Sequence, residues 1–131
     1  MQFRLHRDGD EKKPTRYYSS IQEKKVAKAV EGKTTSNSGA TPFQKGDVLS
    51  SDWLIECKTK ASDTTQKSIS VKKAWFDKNF EESMYMMKQY SAVVISFGLN
   101  SPNYYIIDEN TFQEMKYALE RMKEYDNADN N

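Results

Sequence analysis

The chain has 131 residues, of which 37% are apolar and 30% charged, and its net charge is +1, so its length suits one core of ordinary size and excludes two. No apolar run approaches the roughly 18 residues of a membrane span, and the N-terminal stretch with Arg4, His6 and Arg7 lacks a signal-peptide core; no membrane partner and a cytoplasmic setting are expected. One cysteine, Cys57, and one histidine, His6, exclude an internal disulfide and a His/Cys zinc site, which leaves carboxylates as metal ligands and favours magnesium or manganese.

Residues 1–16 and 126–131 are polar and read as flexible arms around a single domain at 17–125. The Ser20-Ile-Gln-Glu23 sequence fits a capping box and predicts a helix closed by Gly32, with Val26, Ala29 and Val30 inward and Glu23 on the flank of that stripe. Residues 32–41 read as a loop. Two strands, 46–50 and 53–59, follow as a hairpin through Ser51-Asp52, and 67–71 suggests a third strand. Phe76, Phe80, Met84 and Met87 recur at helical spacing, and the Met84–Met87 cluster reads as core or dimer surface. Strands at 92–97 and 104–107 come next, and Thr111-Phe-Gln-Glu114 opens a last helix with Phe112, Met115, Leu119 and Met122 inward. The predicted class is α/β (α+β), in the order αβββα and then ββα.

Charge divides along this chain. Residues 1–78 carry 16 Lys/Arg against 10 Asp/Glu, while residues 79–131 carry 4 against 9, so a basic face can coexist with near-zero net charge.

The hairpin carries the chemistry. Strand alternation puts Glu56, Lys58 and Lys60 on one face and Trp53, Ile55 and Cys57 on the other. A two-residue turn pairs positions that sum to 103, which sets Val48 opposite Ile55 and Asp47 opposite Glu56. Two carboxylates side by side destabilise a sheet unless a cation sits with them. Lys58 is one such cation; a divalent metal compensates better and activates water for phosphodiester hydrolysis. Lys58 is then placed to orient the attacking water or to stabilise the transition state, and Glu23 brings a third carboxylate from the helix.

These residues, together with Ser38-Gly39-Ala40 and Gly46-Asp47, make the stretch from about 20 to 97 resemble the PD-(D/E)xK nuclease superfamily, closest to its Holliday junction resolvase branch of archaeal and phage type. The resemblance implies a restriction-endonuclease-like αβββαβ core, a mixed central sheet flanked by helices, with an extra C-terminal strand and helix. It implies Asp47, Glu56, the Cys57 backbone carbonyl and Glu23 around Mg2+ or Mn2+, Lys58 as the catalytic lysine, a homodimer, and cleavage of branched DNA. Gly46 stands where the family name has proline.

The motif is common by chance: this chain contains six (D/E)xK tripeptides, and only Glu56-Lys58 lies in an apolar strand next to another strand that bears an aspartate. The capping box alone would explain Glu23. Ser38, Lys24, Lys25, Lys28, Lys60, Lys72 and Lys73 are the candidate DNA contacts, against the plainer reading of solvated lysines. Cys57 reads as a small core residue. The alternatives are a nuclease of the same superfamily with nicking or restriction-like specificity, and a non-catalytic DNA-binding module of the same fold.

Overall fold

A computed structural model describes residues 13–35 and 47–130, which form α1 (Thr15–Ala29), β1 (Lys33–Thr34), β2 (Val48–Leu49), β3 (Trp53–Thr59), α2 (Lys73–Tyr85), β4 (Tyr90–Ser96), β5 (Asn103–Ile106) and α3 (Glu109–Asp129). The class is α/β: the described residues form three helices and a mixed five-stranded sheet of order β1-β2-β3-β4-β5, with α1 and α2 packed on the sheet. β3 and β4 pair in parallel, Trp53 with Tyr90 through Thr59 with Ser96; every other neighbouring pair is antiparallel. Among the described residues, no helix is long and apolar enough to cross a membrane.

β3 and β4 are buried on both faces because helices lie on both. Val48, Ile55, Cys57, Ala92 and Val94 cluster with Val26 and Ala27 of α1. Alternation turns Leu54, Glu56, Lys58, Val93 and Ile95 the other way, toward α2, where the buried Asn79 amide donates to the Leu54 and Ala92 carbonyls (3.3 and 3.0 Å) and ties α2 across β3 and β4. Leu54, Ile55, Val48, Val93 and Val94 are fully buried, each stabilising the fold by roughly 1.5–3 kcal/mol.

Both α1 and α2 end in a two-bond reversal of the Schellman type. After α1, Gly32 N–H donates to Ala27 O (2.8 Å) and Glu31 N–H to Lys28 O (3.4 Å), with Glu31 at φ 54°. Gly32 then passes so close to β2 that an added Cβ would stand 2.3 Å from Leu49 O, a contact open to glycine alone.

Four expectations change. α1 starts at Thr15, with Pro14 as its N-cap, so it begins inside the segment read as an arm, and Ser20 lies in its second turn. Proline presets the helical entry there, and no capping box is needed. Segment 67–71 is irregular and largely exposed: β4 occupies the free edge of β3, and the third strand of the αβββαβ order is β1, outside β2. On α2 the buried residues are Asn79 and Ser83, while Phe80, Met84 and Met87 are exposed. α3 is capped by Asp108, whose Oδ1 accepts from Thr111 N–H (2.9 Å), in place of the box at Thr111; it runs on through residues read as a tail and buries none of its side chains. Its apolar stripe was expected inward and is exposed, because none of the helices and strands among the described residues covers it.

Candidate active site

The hairpin forms in the register its turn predicts: Val48 pairs with Ile55 and Leu49 with Leu54, and Ser50 N–H donates to Trp53 O (3.1 Å) beside the Ser51-Asp52 turn. At Asp47 the ladder slips. Asp47 N–H donates to Ile55 O (3.0 Å), the residue that already pairs with Val48, so the strand steps out of register as at a β-bulge. The slip frees the Asp47 carboxylate to turn toward β3, where Oδ2 accepts the Cys57 N–H at 2.7 Å. Asp47 is therefore fixed at the strand beyond Glu56, a tighter placement than the simple cross-strand pair expected from the register. In an extended strand the N–H and C=O of one residue leave by the same edge, so the Cys57 carbonyl lies on the edge that holds Asp47.

Glu23 reaches the same point from α1. It is only 7% exposed, on the face that also buries Gln22, Val26 and Ala27. Since α1 starts two turns earlier than expected, Glu23 has no capping duty. One oxygen takes the Arg16 guanidinium at 3.4 Å, two helical turns back, and the carboxyl group lies within hydrogen-bonding reach of Asp47. Burial and the Asp47 charge push its pKa up to about 7, against the opposing pull of Arg16.

Glu56, from the α2 face of β3, is equally buried, and burial followed by the Asp47 charge raises its pKa too. Lys58 and Lys78 oppose that rise, while Glu82 of α2 adds to it. Lys58 Nζ stands 3.5 Å from Glu56 Oε1 and 5.0 Å from the centre of the Trp75 ring, over its face. The Cys57 thiol is raised first by burial and then by Asp47, Glu23 and Glu56 together. It is an inert core group.

The site thus gathers Asp47, Glu56, Lys58 and Glu23, with Asp47 as the charge neighbour common to both glutamates. Among the described residues, no three His, Cys, Asp or Glu side chains stand together at ligating geometry. The donor set still fits a hard cation. It is all oxygen, and magnesium takes one or two carboxylates and fills its shell with water and substrate phosphate. Two glutamates whose pKa values are raised by burial and by a neighbouring carboxylate are also what an added divalent charge would relieve.

Of the candidate DNA contacts, Ser38 lies outside the described residues. Lys24, Lys25 and Lys28 are exposed on α1, and Lys60 is half-buried after β3. Lys72 is exposed at the N-cap of α2; Lys73 is exposed but engaged by both oxygens of Asp77 (3.0 and 2.9 Å). Sequence reasoning missed Arg16 and Trp75. The first had a signal, its seven-residue spacing from Glu23 on one helix face; the second had none, since α2 is brought over Lys58 by the long connection from 60 to 72.

No family model, curated protein or solved structure matches the chain.

Proposed function

We propose that the protein is a metal-dependent endodeoxyribonuclease of PD-(D/E)xK type, with a restriction-endonuclease-like core, that acts as a homodimer on Holliday junctions or other branched DNA. The observation that carries this reading is the Asp47 carboxylate held on the Cys57 N–H at 2.7 Å, next along β3 from Glu56, with Lys58 3.5 Å from Glu56 and the Asp47 charge acting on both Glu23 and Glu56. Asp47, Glu56 and the Cys57 carbonyl would hold Mg2+ or Mn2+, with Glu23 on the far side of Asp47. When bound, the metal supplies an activated water and neutralises charge on the scissile phosphate.

The chain's own groups do the rest. Lys58 stands between an acid and an aromatic face, so its ammonium is positioned before substrate arrives and gives a fixed positive charge for the transition state or a donor to the attacking water. Glu56 pairs with Lys58 and feels the Asp47 charge, so it links the lysine to the acidic site. Arg16 holds one Glu23 oxygen and orients the carboxyl toward Asp47. The preference for a branch rests on the resemblance in the Glu23, Gly46-Asp47 and Glu56-Cys57-Lys58 segments, and the exposed Lys24, Lys25 and Lys28 supply phosphate contacts on α1.

The test is cleavage of a four-way junction by the purified chain with Mg2+, in competition with linear duplex. Metal-dependent cutting of the junction, lost in Asp47→Ala and in Glu56→Ala, is the expected result. Cutting that survives either substitution contradicts the assigned site. Equal cutting of linear duplex contradicts the branch preference and leaves the nuclease chemistry.

A further inference from the structure

α3 is the largest helix of the protein and the least used by it. Its 21 residues span about 30 Å, and none is buried. Phe112, Met115, Leu119, Met122 and Tyr125 are 47–73% exposed. The first four follow at intervals of three, four and three residues, the spacing of a seam that packs into another helix. The foot of the helix is capped by Asp108, whose Oδ1 accepts from Thr111 N–H. Beside that foot opens an apolar groove of about 360 Å3, lined by Val30, Trp53, Ile55, Tyr105, Ile107 and Met115. Helices in proteins draw most of their stability from packing an apolar face rather than from propensity, so a helix with an exposed apolar seam implies a partner.

We infer that the partner is α3 of a second copy of this chain, packed antiparallel about a two-fold axis next to Leu119. That axis brings Met122 of one copy to Met115 of the other and Tyr125 to Phe112. The tip of each helix then reaches the foot of the other, where the groove opens, so the seam and the groove are closed by one contact. A parallel pair would leave both grooves open. The area is sufficient: the five side chains leave roughly 500 Å2 per helix and about 1,000 Å2 for the pair, at the lower bound for a specific interface, before the groove is counted. A seam pairing with itself is the isologous contact that two-fold dimers use. The inference rests on the homodimer of the preceding reading and gives it a surface; its test needs neither metal nor DNA, so it can fail while the nuclease chemistry stands, and the nuclease chemistry can fail while it stands.

The experiment is light scattering and oxidative cross-linking of the full chain. Wild type should be a dimer at micromolar concentration. Leu119→Glu combined with Met122→Glu should weaken association by about 100-fold or more while the monomer keeps a cooperative thermal transition. Leu119→Cys, at an exposed position and with Cys57 buried, should form a disulfide-linked dimer under mild oxidation, while Phe112→Cys should not. A monomeric wild type would overturn the inference and assign the seam to a different protein. So would a dimer that survives the double glutamate variant, or cross-linking at Phe112→Cys equal to that at Leu119→Cys, the mark of a parallel pair.

Discussion

β3 and α3 are both written in regular apolar periodicity, at every second residue in one and at intervals of three and four in the other, and they meet opposite fates. Residues 54–57 of β3 are buried, an acid among them, whereas α3 buries none of its apolar side chains. β3 is paired on both edges and has α1 and α2 over its faces, so even Glu56 is taken out of water with the rest of the strand. α3 follows the last strand, is capped at its foot by Asp108 and has no buried residue. A periodic pattern therefore specifies a face, and the topology specifies whether the chain itself supplies what covers it. The one region has enough cover to bury charge at a cost; the other has apolar surface in search of cover.

That contrast can be tested at several magnitudes. The largest effect belongs to the buried acids: Asp47→Ala and Glu56→Ala should each lower the DNA cleavage rate by about 1,000-fold or more, equivalent to about 4 kcal/mol in the barrier, while DNA affinity measured in Ca2+ changes little. Leu54→Ala should cost about 3 kcal/mol in urea unfolding, because the site is enclosed and cannot collapse; Leu119→Ala, measured at dilution where the chain is monomeric, should cost about 0.5 kcal/mol or less. Equal costs at the two leucines would erase the distinction between the regions.

A third test uses pH. The Glu23 carboxyl is pushed up from 4.5 to about 7, so the folded state binds a proton that the unfolded state has released. Its contribution to stability is fully present below about pH 4.5 and is lost as pH rises through about 7, and the raised Glu56 acts in the same direction. Without divalent metal, the protein should lose stability between those limits. Glu23→Gln should flatten the loss and be the more stable chain at pH 8, and Mg2+ should stabilise wild type most at the alkaline end. A wild-type stability that rises across this range would contradict the buried-acid account. The smallest effect is at the foot of α3, where Asp108→Ala should remove about 1 kcal/mol of cap and loosen the helix, read as faster amide exchange at its start with the sheet unaffected.

The site was more legible than the helices around it. A two-residue turn leaves a hairpin little choice of register, so the pairing of Val48 with Ile55 and the nearness of Asp47 to Glu56 followed from local sequence. The slip at Asp47 did not, because a bulge depends on the backbone groups that meet it from both sides, here Thr35 N–H, which donates to Asp47 O, and Ile55 O, which accepts from Asp47 N–H. Ser20-Ile-Gln-Glu23 suggested a helix start that Pro14 had already provided, and this error hid the clearest sign that Glu23 belongs to the site. The stripe on α2 misled in the opposite way. Phe80 and Met84 look like core, yet Asn79 is the buried residue, since an amide can bridge the carbonyls of two parallel strands and a phenyl ring cannot. The Lys58 and Trp75 contact was illegible, being made by elements whose approach the irregular 60–72 segment decides.

The most direct test of the central claim is a crystal of the full chain soaked in Mn2+ and measured at the manganese edge. An anomalous peak bounded by Asp47, Glu56 and the Cys57 carbonyl, and absent in Glu56→Gln, is the predicted result. No peak there at millimolar Mn2+, or one that persists unchanged in Glu56→Gln, would contradict it.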